Sequence, residues 1–298
     1  MLSTNSTAQG YSFDNNIPVV ISYAGYKSIS GNFVYDETDI DRYPIIAVED
    51  KGDLIASGRW NILYTPWTKI GYNPDSGVGS EEVVCYQGGM PSWPASSGMP
   101  LSVISGSNND KTGSTGCTKV WVKYLDADYI ERSTTVTMDG TTGVAIIDTS
   151  ISRINSFQAY EGNAAAGNIS IYPATGGVMS QIGVGMTRAR NSMYTVPSSK
   201  TLFIKNFYYS GAALGSGKGV PTRFLLKSNY SVDQDRYSTS LFWPLSANLL
   251  TDSPIYASLS IPLKLPEKTD MFVSATLTAA SSANIAECIL RGWTVDNA

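Results

Sequence analysis

The 298-residue chain contains no histidine, and that absence decides more of its possible chemistry than any residue it carries. Without an imidazole there is no Ser-His-Asp or Cys-His nucleophile, no histidine-dependent zinc site and no side chain whose ordinary pKa lies near neutrality. Carboxylates are what remain for acid–base or metal work. Asp36, Glu37, Asp39 and Asp41 sit close together, and Asp126/Asp128 and Asp233/Asp235 form tighter pairs. An Asp-x-Asp unit could offer hard oxygen ligands to calcium, and two acids across a cleft could cleave a glycoside. Each of these acids nevertheless falls where the pattern predicts a turn, and Asp favours turns because its side chain hydrogen-bonds nearby backbone.

Two glycine-rich stretches invite a nucleotide reading and fail it. Gly215-Ser216-Gly217-Lys218-Gly219 lacks the full GxxxxGK[ST] spacing, and no helical pattern follows it. Gly183-Val184-Gly185 belongs to no GxGxxG and has no βαβ setting. The sequence therefore assigns no catalytic, cofactor-binding or metal-ligating residue, and no cofactor is expected.

Cys85, Cys117 and Cys288 lie far apart in no CxxC arrangement. An odd count argues against a disulfide framework, so the expectation is three buried small hydrophobes in a chain made in a reducing cytoplasm. Lys and Arg total 21 against 25 Asp and Glu, for a net charge of −4. A nucleic-acid partner is not expected, because that affinity needs clustered basic residues; Arg188 and Arg190 alone make no basic stripe. The first residues lack the basic start and apolar block of a secretion signal. The apolar run at 17–24 is broken by Pro18 and Ser22 and is too short to span a bilayer, so no membrane is expected either.

The elements that position these residues read as strands. Charged residues are 15 % of the chain, against about 25 % in ordinary domains, while Tyr, Thr, Gly and Pro are frequent. That composition suits antiparallel sheets with many turns, and a surface partly covered by neighbours. The organising stretch is 117–171. Val120, Val122 and Tyr124 alternate with Trp121, Lys123 and Leu125, and Asp126-Ala127-Asp128 turns the chain. Asp139-Gly140 is a hairpin-type dipeptide, which predicts a meander of 129–138, 142–147, 151–160 and 169–172. Later strands are expected at 201–209, 222–229, 238–243, 259–265, 270–278 and 285–295. Between Pro66 and Pro100 the prolines and glycines predict a long ordered loop pinned by Trp67, Tyr86 and Trp93.

The fold expected is all-β, an antiparallel β-sandwich or jelly roll in two β subdomains with long loops. Residues 1–16 would form a flexible arm, 17–100 an N-terminal β subdomain, and 101–298 a jelly-roll-like sandwich. The aromatic residues read as core or subunit interface, with a sugar-stacking surface at Trp67 or Trp93 as the alternative.

Residues 88–295 also resemble a family of structural proteins of tailed bacteriophages, common in environmental phages. The shared features are Gly88-Gly89 with Trp93-Pro94, Leu125-Asp126-Ala127-Asp128-Tyr129, and Thr135-Val136-Thr137-Met138-Asp139-Gly140. Ile151-Ser152-Arg153-Ile154 and Tyr194-Thr195-Val196-Pro197-Ser198-Ser199-Lys200-Thr201 follow in the same order. None of these is a catalytic signature. The resemblance implies a non-enzymatic virion protein, assembled in the host cytoplasm, that decorates or cements a capsid. Its partners would be the major capsid protein or neck and tail proteins, together with further copies of itself. A neck, tail or fibre-attachment protein, or a carbohydrate- or receptor-binding or glycan-cleaving tail protein, is the alternative. The working parts expected are the N-terminal arm and the loops at 66–100 and 211–219, where a rigid sandwich meets partners.

Overall fold

The structure is a computed structural model. It describes residues 64–297 apart from 78, 90–92, 95, 214–221, 250–253 and 278–283, together with five short strands among the first 63. The chain divides into two compact units, Met1–Pro66 and Trp67–Ala298. In the first unit, β1 (Thr7–Ala8), β4 (Asn32–Val34) and β3 (Lys27–Ile29) form one antiparallel sheet, and β2 (Val20–Ser22) pairs with β5 (Ile45–Ala47). Two residues of the expected arm are thus β1; the acid cluster at Asp36, Glu37, Asp39 and Asp41 lies outside the described residues. No helix occurs among the described residues, and the protein is all-β.

The main sandwich of the second unit has two antiparallel sheets. One runs β19 (Ile255–Leu265), β16 (Lys200–Ala213), β21 (Asn284–Asp296), β6 (Tyr64–Asn73). The other runs β18 (Arg236–Leu249), β17 (Thr222–Ser231), β20 (Asp270–Leu277), with β7 (Glu81–Val83) and β15 (Tyr194–Thr195) both on the far edge of β20. Period-two alternation turns Leu202, Ile204, Phe207 and Tyr209 of β16 inward, against Phe224 and Leu226 of β17 and Met271, Val273, Ala275 and Leu277 of β20. Tyr209 stacks on Phe224 with ring centroids 4.8 Å apart. In β21, Gly292 sits opposite Ile204 beside a register shift, and any Cβ there would collide with the Phe203 carbonyl. Only glycine lets the two backbones approach this closely.

A second, smaller sandwich occupies the connection between β7 and β15. Its sheets run β10 (Glu131–Thr137), β9 (Cys117–Leu125), β12 (Arg153–Gly162) and β11 (Val144–Ala145), β8 (Leu101–Ser105), β13 (Ile169–Pro173), β14 (Ser180–Ile182). Val120, Val122, Tyr124 and Phe157 of the first sheet share a core with Leu101, Val103, Ile169, Ile171 and Ile182 of the second.

Several sequence expectations change here. The predicted meander is split between sheets: β10 and β12 flank β9, whereas β11 crosses over to β8. Gly140 does have the positive φ expected of it, 61°. Its turn packs on Asn108, whose Oδ1 accepts from Thr141 Oγ1 at 3.0 Å, and so leads the chain away from β10. The loop expected at 66–100 holds two strands, β6 and β7. The expected loop at 211–219 begins as strand, since Gly211, Ala212 and Ala213 pair with Ala286, Ile285 and Asn284; residues 214–219 lie outside the described residues.

Candidate functional site

The most densely bonded polar centre joins the two sandwiches. Arg153 on β12 uses all five of its N–H groups. Nε and one terminal nitrogen donate to the two Asp270 carboxylate oxygens at 2.7 and 2.8 Å. The other terminal nitrogen donates to the carbonyls of Pro94 at 3.0 Å and Ser152 at 2.7 Å, and the fifth N–H goes to Tyr129 Oη at 3.3 Å. The guanidinium also lies over the rings of Trp93, 5.2 Å away, and Tyr129, 5.4 Å away. Burial works against its charge, but the hydrogen bonds and charge of Asp270 outweigh that, and its pKa is raised above the ordinary value. Asp270, at the start of β20, accepts in addition from Thr195 Oγ1 at 2.6 Å.

Asn155, two residues along β12, extends this clasp. Its side-chain amide binds both backbone groups of Thr195, at 2.8 and 2.9 Å. Its backbone carbonyl accepts from Lys69 Nζ of β6 at 2.6 Å. Part of the Lys69 stem stays accessible to solvent, but its ammonium is enclosed, 5.9 Å from the centre of the Tyr194 ring. Burial lowers its pKa from 10.5 to about 7, with Cys288 opposing the shift.

The sign of the resulting pH dependence follows from proton binding. Between pH ~7 and ~10.5 the unfolded chain holds a proton at this lysine that the folded chain has lost, so this group makes stability rise with pH across that window. Lys69→Met removes the dependence. The variant is expected to gain on the parent protein at pH 6 and to lose that advantage as the pH approaches 10, read from midpoints of urea unfolding. Parallel profiles for the two proteins would mean that Lys69 is not buried as described.

The acids that could do chemistry are engaged or scattered. Asp126 is buried at its own turn and accepts from the backbone N–H groups of Asp128 and Ile130 at 3.0 and 2.9 Å and from Arg132 Nε at 3.1 Å. Asp128 beside it is exposed. Asp233 and Asp235 lie exposed in the β17–β18 turn, where Asp235 accepts from Tyr230 Oη. Among the described residues no group of three or more Asp, Glu, Cys or His could hold a metal ion. The sequence reading passed over the most completely satisfied acid, Asp110. It accepts from Ser105 Oγ at 2.5 Å and from the backbone N–H groups of Cys117, Ala166 and Gly167 at 2.8 to 2.9 Å. Burial alone would raise its pKa, but these four bonds outweigh it and the carboxyl sits below its usual range. Asp110 thereby pins together the 106–116 and 163–168 loops, which lie at the same end of the small sandwich.

The other candidates are placed as follows. Trp67 packs edge-on against Tyr194, centroids 5.1 Å apart, at the margin of the main core. Trp93 covers Arg153. Gly183 admits the ring of Tyr86, which a Cβ would strike. Arg188 is exposed, and Arg190 lies over Tyr72 at 5.3 Å. Cys85, Cys117 and Cys288 are buried free thiols; burial raises the pKa of Cys85 to about 12 and of Cys117 to about 11. They stay protonated and unreactive at neutral pH. Among the described residues no helix is long and apolar enough to cross a membrane.

Fold and centre together define an all-β protein with two sandwiches joined by a buried ion pair. No protein-family model matches the chain, and no curated protein matches its sequence. Among solved structures it is similar to a chain in the structure of infectious bursal disease virus, Gt strain. Identity is 10 %, the match covers 78 % of this chain and 72 % of that one, and the TM-score is 0.22. A likeness of that size carries no argument about what this chain does.

Proposed function

We propose that the chain is a structural subunit of a virus particle, with a jelly roll as its main body and no catalytic role. The observation that carries this reading is the strand order. Taking β6, β7, β16, β17, β18, β19, β20 and β21 as first to eighth, one sheet runs first, eighth, third, sixth and the other runs second, seventh, fourth, fifth. That order supports a jelly roll, an architecture that recurs in viral capsid and lectin domains. The small sandwich then sits in the connection between the second and third strands, clamped to the body by Arg153 and Asp270.

Fold alone does not assign function, so the reading also rests on where the polar chemistry is spent. Arg153, Asp110 and Asp126 direct their hydrogen bonds into the protein itself, which suits a rigid part that works through its surface. The finer reading is a tailed-phage component that decorates or cements the capsid, touching the major capsid protein and further copies of itself. Many weak contacts repeated by symmetry add into firm attachment. A neck, tail or fibre position is the alternative.

Counting the chain in purified particles by quantitative mass spectrometry tests this. A shell role predicts on the order of hundreds of copies, a neck role about a dozen and a fibre role only a few. Absence from particles, together with release of reducing sugar from host polysaccharide by the purified protein, would replace the reading with that of a glycan-cleaving enzyme.

A further inference from the structure

Alternation along the β19–β16–β21–β6 sheet decides which side chains leave the sandwich. Phe207, Tyr209, Cys288 and Leu290 turn into the main core together with Ile255, so the residues between them turn out. Tyr256, Tyr208 and Ile289 are directly paired neighbours on three adjacent strands and form one row across the outer face. Tyr256 is 65 % exposed, and Tyr208 and Ile289 are half-buried. A sheet face that stays in water carries polar residues at such positions. This one has two tyrosines and an isoleucine at its centre.

Unpaired charges flank that row symmetrically. On β21, Glu287 lies two residues before Ile289 and Arg291 two residues after it, each about 7 Å away along the strand. Both side chains reach solvent, and neither has an ion-pair or hydrogen-bond partner among the described residues. They lie too far apart, at about 13 Å, to pair with each other. On β16, Ser210 pairs with Glu287 and Asn206 with Arg291, so a hydrogen-bonding side chain stands on either side of Tyr208. Lys264, the one charge of β19, lies opposite Phe203 toward the end of the sheet.

We propose that this outer face binds the same face of a second copy of the chain, about a two-fold axis that runs across the strands along the Tyr256–Tyr208–Ile289 row. The proposal deepens the reading of the chain as a repeated structural subunit and rests on it. Such an axis sets the strands of the two copies antiparallel and lays each residue of the row over its own counterpart. Glu287 of each copy then faces Arg291 of the other, and Ser210 of each faces Asn206 of the other. That is the self-complementarity an isologous contact requires. An axis along β21 would instead place Glu287 over Glu287, which like charge disfavours. Aligned sheets cross at ~30°, which moves groups ~7 Å from the crossing point by only about 3–4 Å, within the reach of an arginine. Four strands ~4.8 Å apart, overlapping over about ten residues at ~3.3 Å each, give a surface on the order of 650 Å². Standard interfaces bury about 600–1,000 Å² on each partner, and tyrosine is among the residues that most often carry their affinity.

The test compares the full chain with Arg291→Glu, with the charge swap Glu287→Arg/Arg291→Glu and with an Ile147→Glu control, by light scattering and sedimentation over a concentration series. Ile147 is 90 % exposed on the small sandwich, away from this face. The parent protein and the control are expected to dimerise alike. Arg291→Glu is expected to dimerise at least about tenfold more weakly, with an unchanged thermal midpoint, because it turns two attractive pairs into two like-charge ones. The charge swap restores both pairs and should return dimerisation to within about threefold of the parent. A parent protein that stays monomeric to about 100 micromolar, an Arg291→Glu variant that dimerises as the parent does, or a swap that recovers nothing overturns the proposal. A parent monomer that is still abundant in particles would remove this face alone and leave the virion reading standing. Charge-dependent dimers of a chain absent from particles would do the reverse.

Discussion

Asp270→Ala is expected to remove about 3–5 kcal/mol of stability, because it strands a buried guanidinium. The Arg153 and Asp270 side chains are 7 % and 12 % exposed, and the substitution leaves two Arg153 N–H groups and the Thr195 hydroxyl without their acceptor. Domains of this kind are stable by only about 5–15 kcal/mol, so the loss is a large fraction of the whole. Arg153→Met should cost a similar amount, since it orphans Asp270 and the carbonyls of Pro94 and Ser152. The Arg153→Met/Asp270→Leu double variant separates removal of the pair from its breakage. Replacing a buried pair by apolar residues of similar volume is often neutral, so the double variant should recover much of what either single variant loses. Urea unfolding of the four proteins supplies the cycle. Additive losses, with no recovery, would mean that the two groups do not interact as described.

Phe224→Ala is expected to cost about 3–5 kcal/mol. Phe224 is fully buried between the sheets of the main sandwich and stacks on Tyr209. The substitution removes apolar surface from both sheets and leaves a cavity that stiff neighbouring strands cannot collapse. Ile147→Ala makes the contrast: an Ile of equal hydrophobicity on the open surface should change stability by no more than about 0.5 kcal/mol. Equal effects at the two positions would deny that the shared core lies where the sheets place it.

The strands of the chain's second half were legible in the sequence because their inward residues are apolar. Leu202, Ile204, Phe207 and Tyr209, and Phe224 and Leu226, announce β16 and β17 by residue type and near-alternation. The register shift after Ile204 puts Phe203 on the opposite face from Phe207 and Tyr209. β6 stayed hidden for the opposite reason. Its inward positions are Trp67, Lys69, Gly71 and Asn73, a polar set that mimics a loop. Gly71 is required because a Cβ there would meet Cys288 Sγ and Ser192 Cβ at 2.8 Å, and Lys69 faces inward because a carbonyl of the neighbouring sandwich accepts from it. Neither cause is local. The split meander has the same origin, since Asp139-Gly140 fixes a turn but not the sheet that receives the next strand.

The polar centre was less legible still. Arg153 and Asp270 are 117 residues apart, and nothing in the flanking residues of either names the other. The Asp-x-Asp units drew notice through their spacing, yet Asp126 proves to brace its own turn, as the backbone preferences of Asp foretell. Asp110 had no motif at all. Strand order followed the same rule: β6 pairs with β21 from the far end of the chain, so the order emerges only when the strands are seen side by side.

The central claim is that this protein works by the surfaces it presents to neighbouring subunits. A reconstruction of the virus particle, at a resolution that traces strands, tests it most directly. The account predicts density for both sandwiches repeating under the particle's symmetry, with the body packed against adjoining subunits. Particles whose density is fully accounted for by other chains would contradict it.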